Sequence, residues 1–86
     1  MKKKLVKIFE HWYNADNVAS IEPNYKIDVD TKEKIEIGCT IWYTCSMSNE
    51  VFHSIIEFGR KDGKPIHTTA EVIKHLNKGK DLNDWI

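Results

Sequence analysis

The longest alternating stretch in the chain runs from Ile35 to Met47. Ile35, Ile37, Cys39, Ile41, Tyr43, Cys45 and Met47 are apolar, and Glu36, Gly38, Thr40, Trp42, Thr44 and Ser46 stand between them. Strand side chains point alternately to opposite faces, so the pattern predicts a central strand with one apolar and one largely polar face. No helix gathers those apolar residues onto one side. The stretch is longer than an ordinary strand of about 5–6 residues, and Gly38 marks the expected bulge or bend.

Two further strands are predicted against it. Tyr25, Ile27 and Val29 alternate with Lys26, Asp28 and Asp30, and Thr31-Lys32-Glu33 comes next as a hairpin turn. Facing Val29 with Ile35, Ile27 with Ile37 and Tyr25 with Cys39 puts apolar against apolar. After a second turn at Ser48-Asn49-Glu50, residues 51–60 place Phe52, Ser54, Ile56 and Phe58 on one face. Pairing Cys45 with Phe52 sets Ile41 by Ile56 and Cys39 by Phe58, and the reverse face then brings Trp42 beside Ile55, Thr44 beside His53 and Thr40 beside Glu57.

Helices are expected at both ends. Leu5, Ile8, Phe9 and Trp12 obey helical spacing, which predicts an amphipathic helix over residues 3–14. The β-branched and aromatic content there leaves an edge strand open. Residues 14–24 read as a loop, with Asn14, Asp16 and Asn17 as turn formers and Pro23 fixing an extended exit. Lys61-Asp62-Gly63-Lys64-Pro65 is the strongest turn signal. Thr68 and Glu71 form a capping box ahead of Val72, Ile73 and Leu76, and Gly79 closes that helix. Asp81 is expected to cap a last turn carrying Leu82, Trp85 and Ile86. The expected class is therefore α+β: one domain over 1–86, a three-stranded antiparallel meander with N-terminal and C-terminal helices packed on one face (α-β-β-β-α).

Composition narrows the function classes. The chain has 86 residues, 41% hydrophobic and 30% charged, with no net charge, which suits a single small globular domain. No apolar run approaches the ~20 residues of a membrane span. Met1-Lys2-Lys3-Lys4 opens like a signal peptide, but Lys7, Glu10 and His11 break up the apolar stretch that such a peptide needs, so no targeting segment is expected. Cys39 and Cys45 would lie roughly 20 Å apart along one strand, beyond bridging distance, and reduced thiols suit a cytoplasmic protein. No metal-ligand spacing links the histidines and cysteines, so neither a metal nor another cofactor is expected.

One place on this plan carries function. A sheet face meant only for water should not hold Trp42, Val51 and Ile55 together. An indole ringed by polar groups such as His53 and Glu57 has the composition of a binding hot spot. Trp42, Val51, His53, Ile55 and Glu57 are therefore the expected partner-binding residues, with Trp85 and Ile86 at the tail as second choices. His53 and Glu57 could share a proton, but no nucleophile or phosphate loop accompanies them, and no catalytic residue is assigned.

Charge supplies the alternative. Residues 1–9 and 60–80 are basic while 10–57 are acidic. Lys2, Lys3, Lys4, Arg60, Lys61, Lys64, Lys74, Lys78 and Lys80 could form a basic stripe on nucleic acid, with steep salt dependence. The order helix, three strands, helix resembles the double-stranded-RNA-binding domain. That family carries a Gly-Pro-x-His loop where this chain has Thr31-Lys32-Glu33. It opens its last helix with Lys-Lys-x-Ala-Lys where this chain has Thr68-Thr69-Ala70-Glu71. Both departures fall on contact residues, so RNA binding is not implied. The same plan is similar to small phage-encoded inhibitors and accessory proteins. The expected function is a non-enzymatic module, of the small accessory or inhibitor type, that binds a protein partner, with a homodimer formed sheet to sheet as one option for that partner.

Overall fold

The first apolar residues of the chain alternate as a strand does, and they fold as one. The computed structural model describes residues 5–44 and 50–83. Strands β1 (Leu5–Ile8) and β2 (His11–Asn14) form an antiparallel hairpin pairing Val6 with Tyr13 and Ile8 with His11. The tight turn at Phe9-Glu10 places Phe9 at φ 56°, where glycine is favoured. Its burial compensates: the ring packs edge-on to Phe58 at 6.2 Å and against His67 at 5.2 Å. The expected N-terminal helix is thus absent, and with it the α-β-β-β-α order and the architectural likeness to the RNA-binding domain. The described chain is mostly sheet with one C-terminal helix.

A short 3-10 turn, Ala15–Asn17, leads into β3 (Val18–Ile27), which continues through β4 (Lys34–Thr44) and β5 (Val51–Glu57) as one antiparallel sheet in the order β3-β4-β5. The expected loop over 14–24 is therefore largely strand. Pro23 sits within β3 opposite Cys39. It is tolerated because β3 is an edge strand, where a missing N–H can face outward.

Both expected registers are corrected. Tyr25 faces Glu36 and Ile27 faces Lys34, because the loop between β3 and β4 takes in Asp28 to Glu33. Asp28 organises that loop, its carboxylate accepting the Asp30 N–H at 2.8 Å and the Thr31 N–H at 3.2 Å. These backbone donors, Thr31 first, hold the Asp28 carboxyl below its usual range. Tyr25, Ile27 and Val29 were expected in the core. They are 46%, 64% and 79% exposed and lie outside the core cluster. On the other side Cys39 faces Ile56, Ile41 faces Ser54 and Tyr43 faces Phe52. That is a shift of two residues from the expected pairing, which preserves every face.

The bulge falls beside Gly38. Asn24 pairs with Gly38 and Tyr25 with Glu36, so Ile37 has no partner on β3. The alternation of β4 inverts there. Glu36 accordingly reaches the helix side, its carboxylate accepting the Thr69 N–H at 2.7 Å. Gly38 is needed for a further reason: a Cβ there would lie 2.0 Å from the Ile56 carbonyl oxygen.

After β5, the strands β6 (Arg60–Lys61) and β7 (Lys64–Pro65) close on an Asp62-Gly63 turn with positive φ at both residues, as that dipeptide predicts. Helix α1 (Thr69–Lys78) starts at Thr68, whose hydroxyl accepts the Glu71 N–H, and ends at left-handed Gly79. The Glu71 carboxylate pairs with His67 Nδ1 at 2.9 Å, so the capping box is half made. Lys80 N–H then returns to the His75 carbonyl, closing the helix end.

The hairpin and α1 cover one face of the sheet. Val6, Ile8, Phe9 and Tyr13 meet Cys39, Ile41, Ile56 and Phe58, with Val72, Leu76 and Leu82 completing the core. Leu82 does not belong to a last helical turn. It bridges to Ile8 in parallel, its N–H on the Lys7 carbonyl and its carbonyl on the Phe9 N–H. Asp81 accepts the Lys7 N–H. Among the described residues no helix is long and apolar enough to cross a membrane.

Candidate functional site

The face of the sheet opposite the hairpin and α1 carries the residues that the alternation of β4 singled out. Pairing places Ser20, Trp42 and His53 in one row, Glu22, Thr40 and Ile55 in the next, and Asn24, Gly38 and Glu57 in the third. Val51 stands opposite Thr44. Trp42, Val51, His53, Ile55 and Glu57 thus share one face, as expected. Their neighbours differ by the two-residue shift: Trp42 lies beside His53, not Ile55, and Thr40 beside Ile55, not Glu57.

Aromatic contact dominates the centre. The Trp42 and His53 rings stand 4.9 Å apart, tilted by 42°. The indole Nε1 is buried and has no hydrogen-bond partner among the described residues, so the outer surface presents ring carbon. Ile55 and Val51 flank the pair at 65% and 56% exposure. Thr40 is nearly buried and exchanges hydrogen bonds with Asn24 at 3.0 and 3.3 Å. That polar lock fixes β3 against β4 beside the apolar patch. His53 and Glu57 are separated by Ile55 and by about 13 Å along the strand, so they share no proton.

Other expected residues are dispersed. Lys2, Lys3, Lys4, Cys45, Met47, Trp85 and Ile86 lie outside the described residues. Arg60, Lys61 and Lys64 gather on the β6–β7 hairpin. Lys74, Lys78 and Lys80 line a shallow cleft with His75 at the far end of α1. Lys74, Lys78 and Lys80 lie five or more residues beyond the start of α1, roughly 8 Å or more along its axis at about 1.5 Å per residue.

Two places were not anticipated. A cleft of about 260 Å³ between the hairpin and the sheet is lined by His11, Trp12, Tyr13, Asn14, Asn17, Tyr43, Thr44 and Ser54. The buried Tyr13 phenol is pushed up by desolvation, an effect that Ser54 beside it reduces. The second is His67, 7% exposed, with Nε2 unpaired among the described residues. Its signal in the sequence was the four-residue spacing to Glu71, which sets the two on one side of a helix start. Among the described residues no three His, Cys, Asp or Glu groups gather to hold a metal ion.

Cys39 is a core residue. Burial, aided by the Glu36 carboxylate, pushes its thiol from 9.0 up to about 11. A raised pKa favours the protonated form in the folded state, so this group's stabilisation is whole below the unfolded value and drains as pH rises to the folded one. Urea midpoints should therefore fall between pH 9.0 and about 11, and Cys39→Ala should flatten part of that slope. An identical slope in the variant would remove Cys39 as its source.

Comparison of the chain with protein-family models, with curated proteins and with solved structures finds no match.

Proposed function

We propose that this chain is a non-enzymatic interaction module, of the small accessory or inhibitor kind, that meets a protein partner through Trp42, Val51, His53, Ile55 and Glu57. The observation that carries this is the open apolar patch: Val51 and Ile55, more than half exposed, flank the Trp42–His53 stack. Surface apolar residues scattered singly need no explanation, whereas a contiguous patch rimmed by Glu22, Asn24 and Glu57 is what a partner surface requires. The buried reduced thiol of Cys39 suits a cytoplasmic setting. Nucleic-acid binding is less favoured because the described basic residues fall into two groups, on the β6–β7 hairpin and along the second half of α1 and just past it, and the chain carries no net charge.

The test is recovery of a specific partner from the source cell by wild-type protein, then affinity measurement. Trp42→Ala should weaken binding about 30-fold or more, the scale of a hot spot. Ile55→Asp, an exposed position, should do likewise, and Trp12→Ala on the hairpin should not. Circular dichroism confirms that the variants are folded. Undiminished binding by both folded face variants would end the proposal.

A further inference from the structure

The free edge of β5 has a property separate from its side chains. Phe58 donates its N–H to the Ile37 carbonyl at 2.8 Å, which identifies a hydrogen-bonded pair between the two chain segments. Antiparallel ladders alternate bonded with non-bonded pairs. By the observed register, Cys39–Ile56, Ile41–Ser54 and Tyr43–Phe52 are bonded pairs. Val51, His53, Ile55 and Glu57 therefore turn their N–H and C=O groups away from β4. Among the described residues no backbone bond outside the sheet reaches them. A groove of about 190 Å³ lined by Phe9, Glu10, His11, Ile55, Ile56 and Glu57 lies between the hairpin turn and this strand, and Val51 and Ile55 are exposed.

The opposite edge is different. On the same alternation, Ser20, Glu22 and Asn24 bond to β4, and Ile21 and Pro23 face outward. Pro23 offers no N–H, and Glu22 and Lys26 add charge along that strand, both recognised guards against edge pairing. β5 has no proline, and its ionised group, Glu57, stands at one end.

We infer that β5 pairs antiparallel with β5 of a second copy of this chain, joining two three-stranded sheets into one. The strand is self-complementary. With the two-fold axis at Ser54, His53 pairs with Ile55 of the second copy and Val51 with its Glu57. Every outward N–H and C=O of the four residues then finds a partner. No like charges meet across the axis, and Phe52 lies opposite Ile56 of the second copy on the inner face. Because Pro23 blocks the other edge, association stops at two. An axis perpendicular to the sheet keeps both Trp42 faces on one side, so their patches merge. The pairing uses main-chain groups and does not depend on what the Trp42 face binds.

Sedimentation from micromolar to millimolar concentration, with amide exchange on the same samples, tests this. A dimer is expected, with His53 and Ile55 amides protected only as it forms. Phe52, Ser54 and Ile56 amides, bonded to β4, should be protected throughout and report an intact fold. His53→Pro removes one outward donor per copy and should weaken dimerisation about tenfold or more. Trp42→Ala should leave dimerisation unchanged while losing the external partner, which separates this inference from the proposed function. A monomer at millimolar concentration, or a dimer whose His53 and Ile55 amides exchange freely, overturns it.

Discussion

Replacing Gly38 with alanine should cost about 3 kcal/mol or more, a large share of the roughly 5–10 kcal/mol expected of a small domain. The added Cβ would lie 2.0 Å from the Ile56 carbonyl oxygen and 3.1 Å from the Glu57 Cα. Both are backbone atoms, so no side-chain rotation relieves the collision. β4 and β5 must separate or β5 must slide, and either loses ladder bonds at the Gly38–Glu57 end of their pairing. Gly63→Ala supplies the contrast. Among the described residues nothing lies within 4 Å of its would-be Cβ, though its φ of +79° strains any other residue, and about 1 kcal/mol is expected. Urea midpoints of the two variants are the measurement. Equal midpoints would mean that the two strands do not approach so closely at Gly38.

The N-terminal hairpin makes the second large prediction. Ile8→Ala should destabilise by about 2–5 kcal/mol, because Ile8 is fully buried among residues of the sheet, the helix and the tail. Trp12→Ala should change stability by about 1 kcal/mol or less, because Trp12 is 57% exposed. An amphipathic helix would bury Leu5, Ile8, Phe9 and Trp12 alike and make Trp12 among the costliest losses. Similar, large costs at both positions would therefore point to helix and against the hairpin.

The misleading signal in that segment has a physical origin. Leu5, Ile8, Phe9 and Trp12 satisfy helical spacing, yet Val6, Ile8 and Tyr13 satisfy hairpin pairing equally well, and so short a run cannot separate the two periods. Local chemistry favours the strand. Lysines at the N-terminal end oppose a helix dipole, no capping side chain precedes Leu5, and β-branched and aromatic residues prefer extended backbone. The turn stayed hidden because Phe9 occupies a place where glycine is expected. Pro23 hid β3 in the same way, by suggesting a break where an edge strand runs. By contrast, Thr68 and Gly79 delimited α1, and Asp62-Gly63 delivered its turn, because those signals act within a few residues.

The candidate face was legible as a set and illegible as an arrangement. Parity along β4 and β5 put Trp42, Val51, His53, Ile55 and Glu57 together, and a slide by two residues leaves parity untouched. Which residue touches Trp42 depends on the connection between the strands, and alternating hydrophobicity carries no information about that. His67 and the cleft beside Tyr13 are products of tertiary packing between segments remote in sequence.

The closing of Asp81 and Leu82 on the first strand bears on the order in which the molecule folds. Lys7 receives its neighbours from Asp81 and Leu82, so β1 is completed by a segment remote from it in sequence. The contact spans 74 residues, and a loop that long is slow to close during folding. Until it closes, the hairpin keeps an unpaired edge to which another chain can add.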